Sequence, residues 1–481
     1  MPETAVVWFR RDLRLSDNPA LHHALASCER VIPVYLHAPD EEHPWQPGAA
    51  SRWWLHHALT ALADGLRALG SRLIVADGDS LATLRRLIQA TGARHCLWNR
   101  LYDPALVQRD SGIKQALRAD GIRCDSFNAS VLLEPWQVKT GAGEPYRVFT
   151  PYWRRCLPQL ADIGTPLPAP RKLPPVPDDV PSLPIEALEL LPRVHWDQGL
   201  RETWHPGERG AAARLEAFIA GPIKGYGEGR EYPGEPGTSA LSPHLHFGEI
   251  GPRQIVHAIG ERGLGEHDDA AHYIRELGWR DFSHQLLYHF PHTPSEPLDP
   301  KFAAFPWRED ENGLLLRAWQ RGRTGIPIVD AGMRELWHTG WMHNRVRMIV
   351  SSLLTKNLRL PWQQGAHWFW DTLVDADLAS NTQGWQWSAG SGADAAPYFR
   401  IFNPVRQGER FDPKGTYVRR WCPELAKLPD KFIHQPWEAN PALLDDSGVQ
   451  LGGDYPAPVI ELKQSRAEAL AAYEEIKQAS S

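Results

Sequence analysis

Ten prolines between Pro158 and Pro192 divide this 481-residue chain into two stretches of different texture. Proline has no amide hydrogen and holds φ near −65°, so such a run excludes a regular helix or a central strand and reads as an extended connection. Before it, apolar runs at 4–9, 31–36, 72–77, 95–99 and 122–127 alternate with helix-period segments at 19–26, 50–69, 80–91 and 104–120. That alternation predicts an α/β domain over 1–135, built on a doubly wound, Rossmann-like parallel sheet. A connection over 136–205 follows. Segments 207–221, 252–262, 267–290, 326–338, 342–357 and 362–373 then read as helices, which predicts an all-helical domain over 206–481.

A net charge of −6 provides no global positive field, so a nucleic-acid partner has to be sought in a local basic patch. Cys28, Cys96, Cys124, Cys156 and Cys422 are scattered without metal-ligand spacing. They read as inert thiols of a reducing compartment, with no metal site expected. The N-terminal arginines follow an apolar run, unlike a signal peptide, and no stretch has membrane-spanning length, so a cytoplasmic location is expected. No GxGxxG follows the first strand, which counts against a nicotinamide dehydrogenase. The 21 tryptophans are too many for core filling alone and point to stacking or redox use for some of them.

Four segments carry chemistry. The stretch 371–404, DTLVDADLASNTQGWQWSAGSGADAAPYFRIFNP, has no strong amphipathic period, yet it sets Asp375, Asp377, Asn381, Trp385, Trp387 and Arg400 among small residues. Small residues admit a bulky planar ligand, and the polar groups and indoles would hold its edges and faces; an irregular loop packed on a core is equally compatible. The glycine-rich stretch 225–250 ends in a helix start, with Ser242 as N-cap and Pro243 at the first helical position. Thr238, Ser239 and Ser242 could hold a pyrophosphate there, although a capped helix without ligand is the simpler reading of that motif alone. Within 273–290, Glu276, Trp279 and Arg280 share one helix face, suited to a planar base with a phosphate beside it. A surface Glu276–Arg280 ion pair beside a core tryptophan is the plainer alternative. Finally, Arg334, Arg345, Arg347, Lys356 and Arg359, with His338 and His343, face the single carboxylate Glu335 over 333–359. This is the local basic patch, and Asn344 and Met348, four apart, lie on one face of it.

These segments, together with WFRRDLRLSDNPAL at 8–21, resemble the photolyase/cryptochrome family from Trp8 to about Leu425, most closely its class I cyclobutane pyrimidine dimer photolyases. The resemblance implies an antenna domain followed by a helical FAD-binding domain. It implies FAD contacts at Tyr226, Thr238, Ser239, Ala240, Leu241, Ser242, Arg280, Trp341, Asn344, Arg347, Asp375, Asp377 and Asn381. Arg347 is then of the type to neutralise Asp375 and favour an anionic reduced flavin. DNA contacts are implied at Arg230, Glu276, Trp279, Arg345, Met348, Trp387, Arg400 and Gln407, catalytic roles for Glu276, Asn344 and Met348, and an electron chain from Trp385 through Trp362 to Trp307. Asn344 and Met348 agree with dimer photolyases rather than with (6-4) photoproduct enzymes, and Trp387 argues against the DASH branch. Asn381 favours repair over the signalling cryptochromes. Ala105 and Leu106 stand where folate-binding members carry an Asn-Glu pair, so the antenna is left open among deazaflavin, flavin, folate or none, with 48–59 lining its pocket.

The function implied is light-driven repair of cyclobutane pyrimidine dimers: an electron from excited reduced FAD splits a dimer taken out of the stack, as photolyases do. A cryptochrome-type blue-light photoreceptor and a (6-4) photolyase are the alternatives; the chain ends soon after a short helix at 465–479, which speaks against the photoreceptor. UV-damaged DNA is the expected partner, with no membrane, no obligate protein partner and a monomeric state.

Overall fold

The computed structural model describes residues 3–395 and 399–479, so Ala396, Pro397 and Tyr398 of the 371–404 stretch lie outside the described residues. The chain forms two compact bodies from alternating segments: 1–224, 239–291 and 374–379 make the first, and 225–238, 292–373 and 380–481 the second.

In the first body, β1 (Thr4–Phe9), β2 (Arg30–His37), β3 (Ile74–Asp77), β4 (His95–Asn99) and β5 (Arg123–Phe127) form one parallel sheet in the order β3-β2-β1-β4-β5. The helices α1 (Pro19–Ser27), α2 (Ala49–Ala68), α3 (Ser80–Thr91) and α4 (Pro104–Ala119) return the chain between strands. The expected doubly wound sheet is therefore present, with ends shifted by at most two residues. Continuous apolar strands such as β1, buried at every position, are what a sheet covered on both faces requires. Local signals set the boundaries. The Asn18 side chain caps α1 by accepting the Leu21 N–H at 3.1 Å, and α3 stops at Gly92 in the left-handed conformation at φ 64°.

Beyond the carboxyl ends of β1 and β4, where such a sheet receives ligands, charged side chains pair with one another. Arg10 meets Asp110 at 2.9 Å, Arg11 pairs with Asp103, and Arg10 and Arg109 lie 4.4 and 4.8 Å from the Trp8 ring. In α2, within the 48–59 segment expected to line an antenna pocket, Trp53 and Trp54 are buried. Their indoles donate to Asp197 and Glu249, each at 2.9 Å. At the amino ends of the strands, Glu3, Cys28 and His95 bring their ligand-type atoms within 4.8 Å of one another, and a 3.1 Å Glu3–His95 pair engages two of the three.

The proline-rich segment is extended, with short 3₁₀ turns at Leu157–Asp162 and Ile185–Leu188. It packs on the sheet rather than hanging free. Arg72 donates to the carbonyls of Pro177 and Val180 at 2.7 and 2.8 Å, the acceptors that a proline-rich backbone still offers, and Val176 and Val180 enter the sheet core.

The second body is helical, with Leu314–Gln320, Pro327–Thr339, Asn344–Ser352, Trp362–Thr372, Pro404–Phe411, Thr416–Trp421 and Leu462–Ala479 as its main elements. The helix expected over 342–357 starts at Asn344, because the His343 ring accepts the Arg345 N–H at 3.1 Å, and it widens into a π turn at Leu353–Asn357. Lys356 in that turn donates to the Ala389 carbonyl at 2.6 Å, and burial holds its amine well below the usual range. The irregular-looking stretch 371–404 contains a helix, Leu378–Ala389. Its period is hidden because a polar residue occupies the buried side: Gln386 donates to the carbonyls of Thr293 and Glu296 at 2.7 and 2.8 Å. Among the described residues no helix is long and apolar enough to cross a membrane.

Candidate functional site

In the first body, the helix Asp268–His289 carries Glu276, Trp279 and Arg280. The Trp279 ring stacks on Phe149 of α5 (Phe149–Cys156), with centroids 3.7 Å apart and planes 10° from parallel, and Trp153 extends the stack 6.1 Å beyond. Gly278 allows this approach, because a Cβ there would lie 2.3 Å from the Trp153 ring. Trp279 is thus a rigid, half-buried plate with one face backed by aromatic carbon, which suits stacking on the other. Glu276 lies 3.7 Å from His272, whereas Arg280 donates to the Ser130 carbonyl, so the two reach different partners. Asp281, unmarked in the sequence, accepts the N–H groups of Leu132 and Leu133 at 2.8 and 3.0 Å and so ties that segment to the helix; burial pushes its carboxyl up to about 7.

The loop Ser239 to Ser242 is bent by Ala240, whose φ of 48° is left-handed, a conformation costly for a residue with a Cβ. Ser239 Oγ accepts from the Leu241 N–H at 3.3 Å and from the Tyr273 hydroxyl at 3.0 Å. Ser242 is not the expected N-cap. It is the first residue of the short helix Ser242–His246, Leu241 stands in the cap position, and the Ser242 hydroxyl donates instead to Asp375 at 2.6 Å. Asp377 lies 3.8 Å from the His246 ring and 3.6 Å from that of His284. Burial opposes its ionisation, but His284, His246 and Arg280 together outweigh burial and hold the carboxyl well below the usual range.

In the second body, the start of helix Asn344–Ser352 gathers several expected residues. Asn344 Nδ2 lies 3.9 Å from Met348 Sδ, so the predicted shared face exists. Arg347 donates to the Met342 carbonyl at 2.7 Å, with its guanidinium 5.9 Å from the Trp341 ring. His343 is kept neutral, its pKa pushed down to about 3 by burial and then by Arg345, Arg230 and Arg347. Arg345 pairs with Glu231 and lies 4.3 Å from the Phe411 ring, and Arg230 stands 5.3 Å from the ring of buried Tyr226. Thr238 is half-buried.

Glu335, read only as the lone acid of the basic patch, is structural. It accepts from the Tyr417 hydroxyl at 2.6 Å and from the His343 N–H, and burial raises its pKa to about 7. Tyr417, Arg347 and Arg420 face it. A folded value above the unfolded one means that its contribution is complete below pH about 4.5 and is lost as pH rises to about 7. Unfolding measured from pH 5 to 8 should show this decline, on the order of 3 kcal/mol for Glu335, and Glu335→Gln should remove that share while the decline due to Asp281 persists. An undiminished slope in the variant would rule Glu335 out as its source.

On helix Leu378–Ala389, Asn381 Nδ2 donates to the Ala366 carbonyl at 3.0 Å, which fixes the amide and directs its oxygen away as an acceptor. Gly384, one turn on, has open space where a Cβ would be, with nothing within 4 Å. Trp385 is buried, and its ring meets Phe369 at 5.0 Å and Trp319 at 6.0 Å; Trp319 was not singled out in the sequence. Trp362 is buried at the head of its helix, and Trp307 is partly buried 4.5 Å from Phe305. Trp387 lies 6.5 Å from Phe402 and 5.9 Å from the guanidinium of exposed Arg400, and Gln407 is half-buried on Pro404–Phe411.

Residues 5–172 match the DNA photolyase domain, and residues 273–475 match the FAD binding domain of DNA photolyase. The chain belongs to the DNA photolyase/cryptochrome family. It is 48% identical to a deoxyribodipyrimidine photo-lyase of Agrobacterium fabrum, over 98% of each chain. It is 41% identical to Cryptochrome-1 of Arabidopsis thaliana, over 96% of this chain and 69% of that one. Among solved structures, a bacterial class III photolyase from Agrobacterium tumefaciens superposes with a TM-score of 0.94 at 47% identity, covering 99% of this chain and 98% of that one. That neighbour is a class III enzyme, whereas the sequence resemblance points to class I. FAD is its cofactor, and the residues present suit one. The hydroxyl-rich, left-handed loop at Ser239 to Ser242 matches a pyrophosphate, and the open strip at Asn381 and Gly384 matches a planar ring with polar edges.

Proposed function

We propose that this protein repairs cyclobutane pyrimidine dimers in DNA under blue light. The observation that carries this reading is the Asn344–Met348 pair, 3.9 Å apart on one helix face, where a (6-4) enzyme would present histidine. Bound reduced FAD supplies the photoexcited electron. Its proposed contacts are Ser239, Ala240, Leu241, Ser242, Arg280, Asp375, Asp377, Tyr226, Thr238, Trp341, Asn344, Arg347 and Asn381, with the Asn381 oxygen available to a ring N–H. Arg230, Arg345, Arg400 and Gln407 bind the damaged strand. Trp279, stiffened by Phe149, and Trp387 stack on the extruded dimer, while Glu276 and Asn344 hydrogen-bond its edges and Met348 packs against it. Trp385, Trp362 and Trp307 rereduce oxidised flavin. A second chromophore, of deazaflavin, flavin or folate type, is compatible with this reading.

The test is a thymine-dimer oligonucleotide incubated with reduced protein in light and in darkness. Restoration of thymines in light alone supports the proposal. Absence of repair by a protein retaining FAD would transfer it to a photoreceptor role, the reading favoured by its 41% identity with a plant cryptochrome. Trp385→Phe should abolish photoreduction of the oxidised protein while sparing repair by prereduced protein; photoreduction at the wild-type rate would remove Trp385 from the chain.

A further inference from the structure

Between two of the arginines assigned to the DNA strand in the second body, Arg230 and Arg345, stands a carboxylate that the assignment does not use. Glu231 accepts from Arg345 through one oxygen, and its other oxygen lies 3.9 Å from Arg230 Nε. The side chains of Arg230, Arg345 and Glu231 are only 14%, 19% and 28% exposed, so this is not a frayed surface pair. Each arginine is also held from behind by an aromatic ring, Tyr226 at 5.3 Å for Arg230 and Phe411 at 4.3 Å for Arg345. The rings fix the direction in which the guanidinium groups point. An anion with two oxygens already occupies the side they present.

We infer that Glu231 is an internal phosphate mimic: it holds Arg230 and Arg345 in their binding geometry without DNA and is displaced from Arg345 when a strand phosphate arrives. This rests on the proposed DNA contacts and adds a residue that sets how tightly, and with what salt dependence, they are made. A guanidinium pairs with a carboxylate oxygen or a phosphate oxygen alike, so the exchange requires no rebuilding of the site. The displaced carboxylate stays near the incoming phosphate and repels it. The net positive charge offered to the strand is therefore one less than a count of arginines suggests, and the salt dependence of binding is shallower. Glu231 touches Arg345 and is not among the residues proposed to contact the dimer, so damaged and undamaged strands should feel it equally.

The experiment measures dark binding of FAD-loaded protein to one duplex with and without a thymine dimer, from about 50 to 200 mM salt. Glu231→Gln should bind both duplexes more tightly, by about tenfold at low salt, with a slope of log affinity against log salt steeper by about one, and an unchanged ratio between the duplexes. Unchanged affinity and slope, in a background where Arg345→Ala weakens binding, would overturn the inference. So would a changed ratio, which would make Glu231 a reader of the lesion. If Glu231→Gln loses FAD, Glu231→Asp, which retracts the carboxylate by one methylene, should shift affinity in the same direction by less, and no shift would again overturn it. Failure of the wild-type protein to prefer the dimer would defeat the repair reading instead, while the effect on the undamaged duplex would still decide the role of Glu231.

Discussion

Alanine at Gly365 should destabilise the second body by about 1–3 kcal/mol and suppress light-driven flavin reduction. In an ordinary helix the same change is stabilising by up to about 1 kcal/mol, so the sign itself is diagnostic. A Cβ on Gly365 would lie 2.1 and 2.4 Å from ring atoms of Trp385 and 2.6 Å from a methyl of Leu354. The indole is buried and braced by Phe369 and Trp319, so it cannot move aside without disturbing them. Thermal unfolding and the rate of flavin photoreduction check the two halves of the prediction. A raised melting temperature would show that Trp385 is not packed as described.

Asp377→Ala should cost the first body about 3–5 kcal/mol, the usual result of removing one member of a buried charged set. His246, His284 and Arg280 hold this carboxylate ionised, and its loss leaves Arg280 without that compensating charge. FAD occupancy should fall as well, because Asp377 is one of its proposed contacts. The pH dependence has a definite sign. A carboxyl depressed in the folded state stabilises above its unfolded value, so the gap between wild type and variant should be constant from pH 8 to about 5. It should close only as pH falls below about 4. Denaturant unfolding of the two proteins across that range measures it, and a loss under about 1 kcal/mol would show that the cluster is not coupled as described.

The parts of this fold that were legible are those written locally. β4 is bounded at His95 and Asn99 as its apolar run predicts, and α3 carries both its cap and its left-handed stop in sequence. The helix Leu378–Ala389 was not legible, since a buried glutamine serving two carbonyls looks in sequence like an exposed polar residue. Ser242 looked like a cap because the competing partner, Asp375, lies 133 residues away. The same distance effect hid the supports of the site. Glu335 meets Tyr417 across 82 residues and Arg345 meets Glu231 across 114. Spacing rules see partners three or four residues apart, so neither pairing is visible to them. The aromatic wall behind Trp279 comes from Phe149 on α5, in a region whose sequence had been read as connection.

The alternation of segments between the two bodies bears on how the protein is made. Six segments in succession, 1–224, 225–238, 239–291, 292–373, 374–379 and 380–481, belong by turns to one body and then the other. A ribosome releases the chain N-terminus first, and a nascent domain can close only when its last strand of sequence has emerged. Here the first body awaits residue 379, by which point about half of the second body's sequence has been synthesised. The first body can therefore close only late in synthesis, and the second only once the segment 380–481 has emerged. Expressing the chain as two halves divided in the proline run should yield aggregation-prone fragments rather than two working modules.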